Sequence, residues 1–156
     1  MLKIGVIGCG AIGRDHIRRL RDLVPGATVT ACSDYFRESA KLAAKQYDIP
    51  HIYDTGEALI ESAGVDAVLI ESSDASHAEY VLACIKQGKP VLCEKPLAQT
   101  SADCEKIIKA ELAGGKRLVQ VGFMRRYDPG YREMKRIVLS GELGNPLMIH
   151  AAHRNM

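Results

Sequence analysis

No stretch of the 156 residues strings together the roughly 20 apolar residues that span a bilayer, so no membrane-spanning helix is expected. Lys3 is followed by no apolar core leading to a cleavage site, so no export signal is expected either. Charge of one sign is also missing. Twenty-one Lys and Arg stand against 19 Asp and Glu, and a net +2 gives no basic surface for nucleic acid or an anionic membrane. Cys9, Cys32, Cys84, Cys93 and Cys104 form no CxxC pair. An odd number of cysteines inside apolar segments predicts buried free thiols in a reducing, cytoplasmic setting. Cysteines and histidines show no metal-ligand spacing, so no metal is expected. Internal repeats and low-complexity linkers are absent as well.

What is present is a regular alternation. Short apolar runs occur at LKIGVIG (2–8), TVTACS (28–33), DAVLIES (66–72), PVLCE (90–94) and RLVQVG (117–122), with a weaker HIYD at 51–54. They are continuous rather than alternating, as parallel strands covered on both faces require. Segments of helical period fill the gaps at 11–24, 36–47, 57–63, 76–87 and 101–113, and Gly26, Gly64, Gly88 and Gly114–Gly115 stand at their ends. Strand and helix in strict succession predict an α/β fold, a doubly wound parallel sheet of the Rossmann type, over residues 1–122. Residues 123–156 read differently. Asp128 and Pro129 open a helix that Gly141 closes, and NPLMIHAAHRNM (145–156) reads as the start of another strand. The expectation is the beginning of a second α/β domain that is cut off.

The first strand runs into GVIGCGAIGRDH, with Gly8, Gly10 and Gly13 spaced as G-x-G-x-x-G. Between a strand and an amphipathic helix the three glycines serve, in turn, a tight bend, room for a pyrophosphate, and close helix-to-strand packing. The backbone N–H groups of Cys9, Gly10, Ala11 and Ile12 would face phosphate oxygens at a helix N-terminus. Asp34 ends the second strand at about the distance expected of a ribose-binding acid, with Tyr35 beside it. A carboxylate there accepts from two ribose hydroxyls and repels a 2′-phosphate, which favours NAD over NADP. Arg37 partly offsets that repulsion. Ser72, Ser73 and Asp74 follow the fourth strand onto the same rim. Ser76 is expected to cap the helix that His77 begins; His77 either contacts the cofactor or decorates the first turn.

VLCEKPLA (91–98) ends the fifth strand with Glu94, Lys95 and Pro96. Proline holds Lys95 in an extended conformation, and ligands of a doubly wound sheet sit at the carboxyl ends of its strands. Lys95 is therefore expected to face the nicotinamide end of the cleft. Gly8–Gly13, SSDASHAEYVLACIKQGKPVLCEKPLA (72–98) and QVGFMRRYDPGY (120–131) together resemble the Gfo/Idh/MocA (glucose–fructose oxidoreductase and inositol dehydrogenase) family. GFMRRYDPGY followed by HAAHRN is similar to its inositol-dehydrogenase branch. The likeness covers essentially this whole chain but only the N-terminal half of a typical member.

The resemblance implies an NAD-dependent oxidation of a secondary alcohol on a polyol or sugar, with hydride passing to C4 of the nicotinamide. It implies that Lys95 hydrogen-bonds the reacting hydroxyl and assists proton removal, that Glu94 borders the cofactor, and that Pro96 follows a cis bond. An ammonium beside NAD⁺ and away from water should have a lowered pKa. Met124, Arg125 and Asn155 match positions lining the substrate pocket, although Arg125 also fits a solvated basic face with Arg126, Arg132, Lys135 and Arg136. Full-length members are homo-oligomers. Their principal aspartate and histidine, four residues apart, belong to the second domain, and no D-x-x-x-H occurs here. The chain is thus expected to bind NAD(H) and to be inactive by itself. Two rival readings are an NADP-linked sugar dehydrogenase of the same family and a dinucleotide-binding module without chemistry.

Overall fold

The computed structural model describes residues 1–152 and 154. The chain divides into two compact units, Met1–Gly122 and Phe123–Met156. In the first, β1 (Leu2–Ile7), α1 (Ala11–Leu23), β2 (Ala27–Ser33), α2 (Arg37–Tyr47), β3 (His51–Tyr53) and α3 (Gly56–Glu61) are followed by a second run. That run is β4 (Ala67–Ile70), α4 (Asp74–Lys86), β5 (Val91–Cys93), α5 (Ser101–Ala113) and β6 (Val119–Val121). All six strands are parallel, in the order β3-β2-β1-β4-β5-β6. The order reverses between β1 and β4, and there the crevice outside the strand ends opens.

The two-residue period of a strand sorts its side chains between two cores. From β1, Ile4 and Val6 join a cluster with Ile17 of α1 and Ala40, Ala43 and Ala44 of α2. Ile7 points the other way, to Leu59 and Ile60 of α3 and Val81 and Cys84 of α4. β4 splits likewise: Ala67 and Leu69 face the first cluster, Val68 and Ile70 the second. Both faces are thus covered, which is why these strands carry unbroken apolar runs. Four of the cysteines are buried and all five are free thiols. No helix among the described residues is long and apolar enough to cross a membrane.

Two expectations about local structure are corrected. α4 starts at Asp74, two residues before the expected 76, with Ser73 as its N-cap residue. Ser76 lies inside the first turn and donates to the Ser73 carbonyl at 2.9 Å, so it does not cap the helix. The second correction concerns 145–156. No strand forms among its described residues, and Leu147, Met148 and Ile149 are exposed. Apolar character alone does not make a strand, because its backbone groups need a paired neighbour.

The second unit contains a 3₁₀ turn (Met124–Arg126) and α6 (Pro129–Ser140). The Asp128 carboxylate accepts from the N–H groups of Gly130 and Tyr131, and Gly141 ends the helix in the left-handed region at φ 78°. Both ends are as the sequence predicts.

Candidate functional site

β1, β4 and β5 end level with one another. Ile7 pairs with Ile70, and Ile70 with Cys93, so Gly8, Glu71 and Glu94 leave the sheet side by side. At strand spacings of about 4.8 Å, the glycine turn and the Glu94–Lys95–Pro96 loop are separated by about 10 Å.

Gly8 has φ 98°, and a Cβ there would meet the Glu71 carbonyl at 2.4 Å. A Cβ on Gly13 would stand 1.9 Å from the Gly8 carbonyl oxygen, so α1 crosses β1 at a distance only glycine permits. Gly13→Ala is expected to cost about 2–4 kcal/mol, read as a lowered urea midpoint with an unchanged slope. Gly10 differs: a Cβ there meets nothing within 4 Å, because it borders the crevice. Among the six described α-helices, α1 alone has neither a side-chain cap nor an acidic residue in its first turn. Its exposed first residues, Ala11 and Ile12, therefore offer uncapped N–H groups, the requirement of a phosphate site. Cys9 is buried, and its side-chain hydrogen bond with the Cys32 thiol, followed by burial, raises its own thiol pKa well above the usual range.

Asp34, half-buried after β2, takes Cys9 N–H at 2.6 Å on one oxygen and Phe36 N–H at 2.8 Å on the other. These bonds fix the carboxylate beside the glycine turn. Tyr35 is exposed next to it. Arg37 is ion-paired with Asp54, so its charge is already engaged. Gly8, Gly10, Asp34, Tyr35, Ser72 and Ser73 all line one cleft of about 810 Å³. Glu94 and Lys95 do not line that cleft; they extend the same row of strand ends beyond it. Lys95 is exposed, and its backbone N–H donates to Glu94 Oε2 at 3.1 Å. The Lys95–Pro96 bond is cis.

His77 is in the first turn of α4 but only 1% exposed. Its Nδ1 lies 2.6 Å from the Pro96 carbonyl oxygen and its Nε2 3.1 Å from that of Ser72. It ties the loop after β4 to the loop carrying Lys95, a positioning role. In the second unit, Met124 is exposed, while Arg125 pairs with Asp128 at 3.0 Å and lies over the Tyr131 ring. Asn155 lies outside the described residues.

Glu71 gave no signal in the sequence, because it sits inside the DAVLIES run. Its side chain is fully buried with neither oxygen hydrogen-bonded. Desolvation first, then the Glu94 charge, raises its pKa from the ordinary 4.5 to about 8.

A glycine turn, an uncapped helix and a strand-end acid at the switch point define a dinucleotide-binding Rossmann domain. The chain belongs to the Gfo/Idh/MocA oxidoreductase family, whose NAD-binding Rossmann-fold model matches residues 2–123. It is 54% identical over 155 residues to inositol 2-dehydrogenase of Burkholderia lata, covering 99% of this chain and 46% of that protein. It is 56% identical to the enzyme of the same name from Acidiphilium cryptum, with the same coverages. Among solved structures, myo-inositol dehydrogenase from Lactobacillus casei in complex with NAD(H) and myo-inositol superposes with a TM-score of 0.90 at 38% identity. That match covers 94% of this chain and 44% of the other. The chain spans about half the length of the curated relatives it matches.

Proposed function

We propose that the chain is the NAD-binding part of an oxidoreductase that moves hydride from a secondary alcohol of inositol, or a related polyol, to NAD. The observation that carries this reading is the level ending of β1, β4 and β5, with the phosphate-type turn and Lys95 on one edge. Relatives named inositol 2-dehydrogenase support the substrate class.

When bound, the nicotinamide supplies the hydride acceptor. The chain's own groups do the rest. Residues 8–13 hold the pyrophosphate on backbone N–H groups, Asp34 accepts from the adenosine ribose, and Ser72 and Ser73 border the path toward the nicotinamide. Lys95 hydrogen-bonds the reacting hydroxyl and assists its proton removal. Glu94 and His77 hold the loop that aims Lys95. Residues 123–156, with Met124, Arg125 and Asn155, begin the domain that binds the substrate. The aspartate–histidine pair of the family is absent from these 156 residues, so this chain alone binds cofactor without turning over myo-inositol. The complete enzyme is a cytoplasmic homo-oligomer.

The engagement of Arg37 by Asp54 supports NAD rather than NADP, since it occupies the guanidinium that follows Asp34 in the sequence. Asp34→Ser, which keeps a short acceptor for the turn, should weaken NADH binding at least about tenfold, the value of one charge-assisted hydrogen bond. The same variant should improve NADPH binding. Fluorescence titration of the 156-residue chain with both cofactors tests it; unchanged NADH affinity would remove Asp34 from the site. Stoichiometric NADH binding is the basic requirement, and its absence would overturn the whole reading.

A further inference from the structure

Three side chains converge beneath the glycine turn from three different elements: His16 from α1, Glu71 after β4 and Glu94 after β5. One ring nitrogen of His16 and one oxygen of each carboxylate lie within 4.8 Å of one another. His16 Nδ1 is 3.9 Å from Glu71 Oε1, and His16 Nε2 is 3.8 Å from Glu94 Oε1. These separations are too long for hydrogen bonds. An ion with bonds of about 2.1 Å spans ligand pairs about 3.4–4.2 Å apart, and the Nδ1–Glu71 separation falls in that interval.

The independent observation is Glu71. Its side chain has no exposed area, and both oxygens lack any hydrogen-bond partner. A carboxylate in that position needs a cation or is costly to bury. Two carboxylates also balance the charge of one divalent ion. We propose that His16, Glu71 and Glu94 bind one divalent transition-metal ion of the class of Zn²⁺, with water completing its shell. One ion takes only one ring nitrogen. Nδ1, which faces the immobile Glu71, is that nitrogen, and Glu94 must turn toward the ion. Its side chain is 23% exposed, against 31% for His16, so it has both the freedom to turn and an open path for the ion. An imidazole with carboxylates suits zinc better than magnesium, which keeps its waters and prefers oxygen. Bound there, the ion ties α1 to the ends of β4 and β5. It also fixes Glu94, whose second oxygen receives the Lys95 N–H.

The test is calorimetric titration of the full 156-residue chain with ZnCl₂ after chelator treatment. A Cys104→Ser background removes the least buried thiol. The expected result is one site per chain, a raised thermal midpoint, and no response to MgCl₂ at the same concentrations. Glu71→Gln and His16→Gln should each weaken zinc binding at least about tenfold, since even outer-shell partners are worth 10–100-fold. If Glu71→Gln fails to fold, His16→Gln, at a partly exposed position, carries the same comparison. Equal binding by the parent and the variant would mean an adventitious ion only. No binding at all would leave a protonated carboxyl in the cluster; either result overturns the proposal.

Discussion

Lys95→Met, placed in a protein of the curated relatives' length, should lower kcat by about 10²–10⁴-fold, the usual value of a positioned acid–base group. Binding of NADH should change by no more than about twofold if, as proposed, the lysine acts on the substrate hydroxyl rather than on the dinucleotide. Placement gives the reason. Lys95 is exposed at the strand edge and its Nζ has no ion pair among the described residues, so removing it disturbs no packing or pairing. A loss of rate therefore reports chemistry and not folding. The comparison also separates the two classes of function that the glycines and Asp34 fit equally well. A module that only binds dinucleotide would lose nothing on this substitution. A proportionate loss of NADH affinity and rate would point to a collapsed loop, which the His77 bond to the Pro96 carbonyl exists to prevent.

The sheet was legible because both of its faces are covered. Ile4 to Ile7 and Ala67 to Ile70 are apolar at every position, and Gly8, Gly10 and Gly13 punctuate the first crossover without ambiguity. Element ends were less legible. Asp74 and Ala75 read as loop and Ser76 as the cap because they are small or polar, yet all three lie in the first turn of α4, where such residues are favoured. NPLMI read as a strand from its side chains, although a strand is defined by the neighbour it pairs with. His77 was recognised as a residue near the site, but its burial between two carbonyls comes from loops 72 and 96, which no spacing rule connects. The His16–Glu71–Glu94 cluster was invisible for the same reason. Its members are brought together only when the ends of β4 and β5 align beside α1, and Glu71 was hidden as the polar end of an apolar run.

Glu71 should also make the stability of the metal-free chain fall as pH rises. Its folded pKa of about 8 lies above the ordinary 4.5 because burial, with the Glu94 charge behind it, disfavours the anion. Between those two values the folded state holds a proton that the unfolded chain has released. Folding stability from this group is therefore complete below about pH 4.5 and is lost as pH climbs through 8. The slope is about 1.4 kcal/mol per pH unit, and the total is on the order of 4–5 kcal/mol. Glu71→Gln keeps the shape and removes the ionisation. Near pH 5 the variant should match or fall slightly below the parent, because a buried amide with no partner carries a cost of about 1–3 kcal/mol. At pH 9 it should be the more stable by about 1–4 kcal/mol, the parent's loss less the cost of the amide. Exposed carboxylates such as Asp15 and Asp103, held low by their arginine and lysine neighbours, titrate in both proteins and cancel in the difference. Urea unfolding of both at pH 5, 7 and 9 in chelator gives the comparison directly. Parallel curves across that range would mean that Glu71 keeps one protonation state throughout, and that its burial is compensated by something other than a proton.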